Sequence, residues 1–529
     1  MSKKEFDLTR REFLLKTTML SASTVTAPFA LNLFSMNALA APQFVGTDYK
    51  ALVCVFLGGG NDHNNTVLAT DGQSTNSGSW KGYTDARAGS NSNIALNFAN
   101  LQPISPTNSK GLNIGREFAL HPNMPEMQAL FNNTTGPVNA AIVANVGPLI
   151  QPFTDGSSTP AKTLYQNNPS WRPSNLFSHS DQTSQWSNTN NTDLTKKNYG
   201  WGGLIGDVTK NSNGLTQFTC LSTSGNNLFL AGPSINQYQI TSSGIPVPIS
   251  GFTTNNYFGL SAATVESIMT KDHANIYTPG TNINRMEFDH AQVVSRAIAA
   301  QQLIGGVMQD TDPTSALATK PIPAPPTYTN PVSNNPETNS LAVQLHTVAR
   351  IISGHTTLTA HRQVFFVTLG GFDTHDFQAT NQANLLAKLS QGIKYFYDKI
   401  DALGLSNNVT LFTASDFGRT FRSNGDGTDH GWGSHHFVVG GAVNGKDIYG
   451  NFPATTIGHD RDVGSGNLVP EISVDQYAAT MAKWFGVPAG PGSELASIFP
   501  NIGNFDPVNV PSGNLGSYGS TDLGFMKPA

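Results

Sequence analysis

The sequence predicts an α/β protein built on a doubly wound, mostly parallel sheet, and three observations carry that prediction. The runs Ala51 to Leu57 and Ala140 to Val146 are apolar, broken only by Asn145, rather than alternating, as strands buried on both faces are. The last third of the chain alternates strand, helix and strand, which right-handed crossovers turn into a parallel sheet. Loops rich in Gly, Asp and His follow several of the apolar runs, the position where open α/β sheets collect their ligands.

Taken in order, the chain opens with a twin arginine, Arg10 and Arg11, before an apolar stretch from Met19 to Leu33 and the small-residue site Ala38-Leu39-Ala40. Residues 1–40 therefore read as a twin-arginine export signal, and the mature protein is expected in the periplasm or outside the cell, exported folded. No later stretch has about eighteen uninterrupted apolar residues, so no integral membrane segment is expected in the mature chain. The first part of the α/β core is placed at 41–210. It holds the strand Ala51 to Leu57, a short helix Glu126 to Phe131 with Pro125 at its start, and the strand Ala140 to Val146.

Residues 211–337 read as an insertion or cap rich in Ser, Thr and Asn. A helical period runs from Arg285 to Met308, and a Pro-rich linker from Lys320 to Pro336. The second part of the core is placed at 338–506, with helices Ser340 to Ile352, Gln382 to Leu403 and Val474 to Phe485 and strands Gln363 to Leu369, Val409 to Thr413 and Phe437 to Val439. Residues 507–529 read as a Gly/Ser-rich tail.

Composition narrows the function classes. The chain has 529 residues, of which 12% are charged, with a formal net charge of -5 and no basic run beyond the first sixteen residues; nucleic acid is therefore not an expected partner. The two cysteines, Cys54 and Cys220, cannot build a disulfide framework or a thiolate metal site, and no bridge between them is expected. The glycines after the first strand fail the dinucleotide fingerprint, because His63 stands where the third glycine belongs.

The chemistry concentrates in loops. Asp62 and His63 follow the first strand, Asp373 and His375 follow the strand ending at Leu369, and Asp416, Asp429, His430, His435 and His436 fall within the Gly-rich stretch Thr413 to Gly440. Carboxylates and imidazoles at several strand ends suit a divalent metal (zinc, manganese, calcium or magnesium), with no other cofactor indicated. Ser178 precedes His179 at an expected helix start, where a hydroxyl either caps the helix or meets an anion stabilised by backbone N–H groups. Arg419 fits either an anion contact or an ion pair within its loop.

The motifs GGFDTH (370–375), SDFGRT (415–420), DHGWGSHHFVVGG (429–441) and VDQYAATMAKWFGV (474–487) resemble the bacterial family catalogued as domain of unknown function 1501. That family is similar in plan to the alkaline phosphatase and sulfatase superfamily. The resemblance implies an alkaline-phosphatase-like fold, with Asp62, Asp373, His375, Asp416 and one of His430, His435 and His436 as metal ligands. It also implies Ser178 as nucleophile, with His179 beside it as a further ligand or a supporting group. The sequence departs from the superfamily at Phe417, where a histidine commonly follows the ligand, and it lacks the C-x-P-S-R signature of formylglycine sulfatases. The implied function is metal-dependent hydrolysis of a phosphate or sulfate ester, on a small-molecule or glycan anionic ester. The alternative is a non-catalytic exported cell-envelope or binding protein on the same fold.

Overall fold

Apolar runs buried on both faces assemble one central sheet. In the computed structural model its strands are β1 (Lys50–Gly58), β2 (Ala140–Gly147), β3 (Cys220–Ser222), β4 (Tyr238–Gln239), β5 (Arg362–Gly370), β6 (Val409–Ser415), β7 (Ser434–Val439), β8 (Ile448–Tyr449) and β9 (Ile472–Ser473). They lie in the order β8-β2-β7-β6-β1-β5-β3-β4, with β9 also paired to β2. Strand β7 is antiparallel to both its neighbours, and every other pairing in this sheet is parallel. The structure describes residues 46–528 apart from 89–91, 93, 108–112, 134–138, 190–197, 245–284, 491 and 510–519, so the export signal expected in 1–40 lies outside the described residues.

Period-two alternation along β1 sends its side chains to two separate cores. Val53, Val55 and Leu57 pack with Leu341, Leu345 and Val348 of α4 (Ser340–Ser353) and with Leu386, Leu389 and Ile393 of α5 (Gln378–Ala402). Leu52 and Cys54 face the other way, toward Trp201 and Ile205 of α3 (Trp201–Thr209) and Tyr477 and Met481 of α6 (Val474–Phe485). Helices therefore cover both faces, as a doubly wound sheet requires. Helix α6 starts in a capping box, Ser473 with Gln476, and stops at Gly486, whose left-handed backbone (φ 109°) no side chain adopts cheaply. Cys54 and Cys220 are both free and buried.

Three expectations change. The segment from 211 does not stand apart from the core, because β3 and β4 extend the central sheet beyond β5. The C-terminal stretch is more than a loose tail: Phe525 is fully buried, with its ring centroid 5.7 Å from that of Tyr477. Helix α5 begins at Gln378, four residues before its apolar period, since Gln378 and Gln382 turn inward to hydrogen-bond Asp62 rather than outward to water. A hydrophobic period cannot register buried polar residues of this kind.

The interior also holds histidines. His63, His121 and His436 are buried, and burial, the largest cause for each, drives their pKa values down to about 3. They fold neutral. The unfolded chain takes up protons near pH 6.5 while the native state does not, so stability is full above that pH and is lost as pH falls toward 3. Each such histidine contributes a slope of about 1.4 kcal/mol per pH unit in that window. His436→Gln is expected to lower the slope of unfolding free energy against pH between 6 and 4, measured by urea denaturation; an unchanged slope would show that His436 is not held neutral.

Candidate metal centre

Strands β1, β5 and β6 are parallel neighbours, so their carboxyl ends bring three loops to one edge of the sheet. The loops approach so closely that only glycine fits between them. At Gly59 (φ 114°) an added Cβ would lie 2.3 Å from the Asp373 amide nitrogen, and at Gly60 (φ 82°) 2.4 Å from the Phe417 ring.

On this edge the structure gathers His179, Asp373, His375, Asp416 and His430. His179 is the first residue of α2 (His179–Asn188), and its Nδ1 lies 2.7 Å from Asp416 Oδ2. The other Asp416 oxygen accepts the Gly59 N–H at 3.1 Å. His430 Nδ1 sits 2.8 Å from the Phe177 carbonyl oxygen. A carboxylate and a carbonyl can only accept, so both Nδ1 atoms carry hydrogen. The Nε2 atoms then point to Asp373: His179 Nε2 is 3.5 Å from Asp373 Oδ1, and His430 Nε2 is 3.3 Å from it. His375 flanks them, its Nε2 2.9 Å from His430 Nε2 and 3.2 Å from Asp373 Oδ1, with Asp429 Oδ1 3.4 Å from its Nδ1.

Charge and burial sharpen this geometry. Burial lowers the His430 pKa, only partly offset by its bond to Phe177, so the ring is neutral and Nε2 bears a lone pair. Burial works against the Asp373 carboxylate, but the hydrogen bond and charge of Arg419, with His179 and His375, hold its pKa below the ordinary value. A lone pair therefore faces an ionised oxygen, and the buried His179 Nε2 beside them has no hydrogen-bond partner. His375 Nε2, 2.9 Å from His430 Nε2, can donate to that lone pair, and a cation among these atoms would relieve its repulsion from the carboxylate. One ligand atom from each of His179, Asp373 and His430 lies within 4.8 Å of the others. An ion with bonds of about 2.0–2.2 Å has tetrahedral edges of about 3.4 Å, which the 3.5 and 3.3 Å separations of His179 and His430 from Asp373 Oδ1 match. The Nδ1 bonds to Asp416 and Phe177 are the supporting contacts that metal-binding imidazoles use to fix ring orientation.

Other candidates are committed elsewhere. Asp62 is buried in an ion pair with Arg87 of α1 (Gly78–Arg87), with Arg87 Nη2 2.9 Å from Asp62 Oδ1, and it accepts Gln378 Nε2 at 2.6 Å. Breaking such a pair costs about 3–5 kcal/mol, so Asp62 anchors the loop and is not free to serve as a ligand. His435 and His436 lie in β7 and point to opposite faces, away from His430. His435 Nδ1 accepts the Asn145 amide at 3.0 Å, and His436 packs between Trp186 and Tyr477 at centroid distances of 5.0 and 5.8 Å. Burial pushes the His435 pKa well below its ordinary value.

Arg419 is fully buried. Its Nη1 lies 2.9 Å from Asp373 Oδ1 and its Nη2 donates to Thr428 O at 2.7 Å, which is the ion-pair reading of that residue. Ser178 caps α2, its hydroxyl 3.5 Å from the Asp181 amide and 3.2 Å from Ser180 Oγ. Phe417 is buried with its ring centroid 4.7 Å from His179 and 4.6 Å from His430, an apolar wall against both imidazoles. Sequence reasoning missed Arg87 and the Phe177 carbonyl. Nothing marks Arg87 in its Asn-, Ser- and Gly-rich surroundings, and a backbone acceptor leaves no trace in residue type.

Fold and site together define an α/β protein with an Asp/His cluster at the carboxyl edge of a mostly parallel sheet. Residues 282–488 match the family described as "Protein of unknown function (DUF1501)", and the motifs at 370–375, 415–420, 429–441 and 474–487 all fall inside that match. No curated protein matches the chain in sequence.

Solved structures similar to it include a protein from the glycosaminoglycan metabolism of Bacteroides thetaiotaomicron, at 10% identity over 86% of this chain and 74% of that one, TM-score 0.30. A second is Ps i-CgsB solved in complex with a neocarrahexaose, at 9% identity over 86% and 77%, TM-score 0.30. A third is the lipoteichoic acid synthase LtaP from Listeria monocytogenes, at 8% identity over 82% and 78%, TM-score 0.28. Another protein of the Bacteroides thetaiotaomicron group aligns over 31% of this chain and 37% of its own, at 13% identity and a TM-score of 0.19. Among the described residues no helix is long and apolar enough to cross a membrane.

Removing one imidazole of the cluster removes one donor. His179→Ala and His430→Ala are each expected to lower bound zinc or manganese from near one equivalent by at least tenfold at limiting metal, read by elemental analysis after gel filtration. His436→Gln should keep its metal. Equal metal in all three variants would place the ion elsewhere.

Proposed function

We propose that this protein is an exported, metal-dependent hydrolase of phosphate or sulfate esters, with His179, Asp373 and His430 holding one divalent ion and His375 beside them. The observation that carries the reading is the set of Nε2 and Oδ1 atoms facing one another while each Nδ1 of His179 and His430 is held by an acceptor. A divalent ion there would neutralise the ester's charge and stabilise developing negative charge on oxygen.

The chain's own groups supply the rest. Asp416 orients His179, Phe177 orients His430, and Phe417 walls the rings off on one side. Arg419 keeps Asp373 ionised and in place. Ser178, next in the chain to His179 and at the amino end of a ten-residue helix, is the proposed nucleophile; its hydroxyl meets the ester where the helix dipole favours an anion. Thr66, its rival near the first strand, is buried with its hydroxyl donating to Asp62 O at 2.8 Å. Arg10-Arg11 and Ala38-Leu39-Ala40 support export through the twin-arginine route.

The second reading, a non-catalytic exported binding protein on the same fold, is favoured by Phe417, which fills the place of a further ligand, and by the engagement of the Ser178 hydroxyl in a cap.

Protein purified from the exported fraction and assayed with aryl phosphate and aryl sulfate separates the two. The hydrolase reading expects turnover of one of them by a chain whose mass begins after Ala40, and a fall in kcat of about a thousandfold in Ser178→Ala with metal retained. Undiminished turnover in that variant removes Ser178 from the mechanism. No turnover of either ester by metal-loaded wild type favours the binding protein.

A further inference from the structure

The loop that carries the metal centre has a second side. Between Arg419 and His430 the chain runs through Arg422, Ser423, Asn424 and Gly425, and these four residues form one wall of a cleft of about 700 Å³. Helix α1 also lines it, through Gly82, Asp85 and Ala86, as do Thr456 and Ile457.

The wall is held in shape. Asn424 Nδ2 donates to the His375 carbonyl at 3.2 Å and to Asp429 Oδ1 at 3.1 Å, so the same residue lines the cleft and braces the flank of the metal centre. Ser423 Oγ donates to the Gly425 and Gly427 carbonyls at 3.1 and 3.2 Å, and the Arg422 amide donates to Ser465 O at 3.0 Å.

Arg422 differs from the arginines around it. Arg87, Arg116, Arg172, Arg362 and Arg419 all direct their guanidinium groups to carboxylates or carbonyls of the protein. The Arg422 side chain is exposed and, among the described residues, has no such partner. The one carboxylate in the cleft, Asp85, is paired with Lys81 at 2.6 Å, so Arg422 sets the local charge. An unpaired guanidinium presents a planar fork of donors matched to sulfate or phosphate oxygens, and Ser, Asn and Thr beside it offer partners for hydroxyl groups.

We propose that this cleft is a subsite for a second anionic group of the ligand, a sulfated or phosphorylated saccharide whose scissile ester sits at the metal centre while Arg422 holds a neighbouring sulfate or phosphate. The proposal rests on the ester-hydrolase reading and names its substrate class. A ligand spanning both sides of the 419–430 loop gains the second contact only if it is polyanionic, which makes the cleft a device for selecting highly charged saccharides over singly charged ones.

The test uses metal-loaded full-length mature protein and two fluorescein-labelled probes, a disulfated disaccharide and its monosulfated counterpart, with affinities measured by fluorescence polarisation. Wild type should prefer the disulfated probe. Arg422→Ala should weaken that probe by about tenfold or more, abolish the preference and retain its metal, with Arg422→Lys in between. Equal affinities of wild type and Arg422→Ala for the disulfated probe would overturn the subsite. Turnover of aryl esters by the same wild-type preparation reads the hydrolase proposal separately: a protein that discriminates the probes through Arg422 yet cleaves no ester keeps the subsite and loses the activity.

Discussion

Two hydrogen bonds, His179 Nδ1 to Asp416 and His430 Nδ1 to the Phe177 carbonyl, set the geometry of the Asp/His cluster. Each fixes the orientation of a ring and so turns its Nε2 toward Asp373 Oδ1, 3.5 Å away for His179 and 3.3 Å for His430. The result is a group of electron-rich atoms with an ionised carboxylate at its centre. Such a group favours a positive partner. Arg419 meets part of that need at 2.9 Å, and the divalent ion proposed above would meet the rest. Without Asp416 or the Phe177 carbonyl the rings could rotate or exchange tautomers, and the three donors would no longer be held toward one point.

The sheet makes this possible. Parallel pairing of β5 and β6 to β1 places the Asp373 and Asp416 loops side by side. Asp62, on the third loop, does structural work instead. Its pairing with Arg87 and its bonds from Gln378 and Gln382 tie the loop after β1 to the start of α5, and so to the His375 loop that precedes it. Phe417 packs against both imidazoles from the protein side. One three-donor group is what the described residues provide, rather than the pair of metal sites that a first-strand ligand would allow.

Much of this was legible in the sequence, for identifiable reasons. Continuous apolar runs marked β1, β2 and β6, and helical periods marked α4, α5 and α6, because burial on both faces or on one stripe leaves a pattern in residue type. The clustering of Asp and His after strands pointed to Asp373, His375, Asp416 and His430, and the run Ser178-His179 marked a helix start. What failed is equally physical. Asp62, His435 and His436 have the residue types of ligands, but burial beside Arg87 in one case and inside a strand in the other gives them partners that only the folded chain reveals. The assignment of His435 and His436 turned on strand length: β7 begins at Ser434, three residues before its apolar run, and takes both histidines into the interior. Arg87 was silent because a buried arginine looks like a surface one until its carboxylate is known. The alternating run Gln237 to Ile240 marked some β structure where β4 lies, whereas β3 has too few residues for any period to show.

The central claim is that an ion sits between His179, Asp373 and His430. Anomalous diffraction from crystals grown with zinc or manganese, collected above and below the absorption edge, tests it most directly. The account predicts one strong anomalous peak about 2.0–2.2 Å from His179 Nε2, Asp373 Oδ1 and His430 Nε2. A metal-saturated crystal with no peak there, or with its peak at the buried His63 and His435 pair, would contradict it.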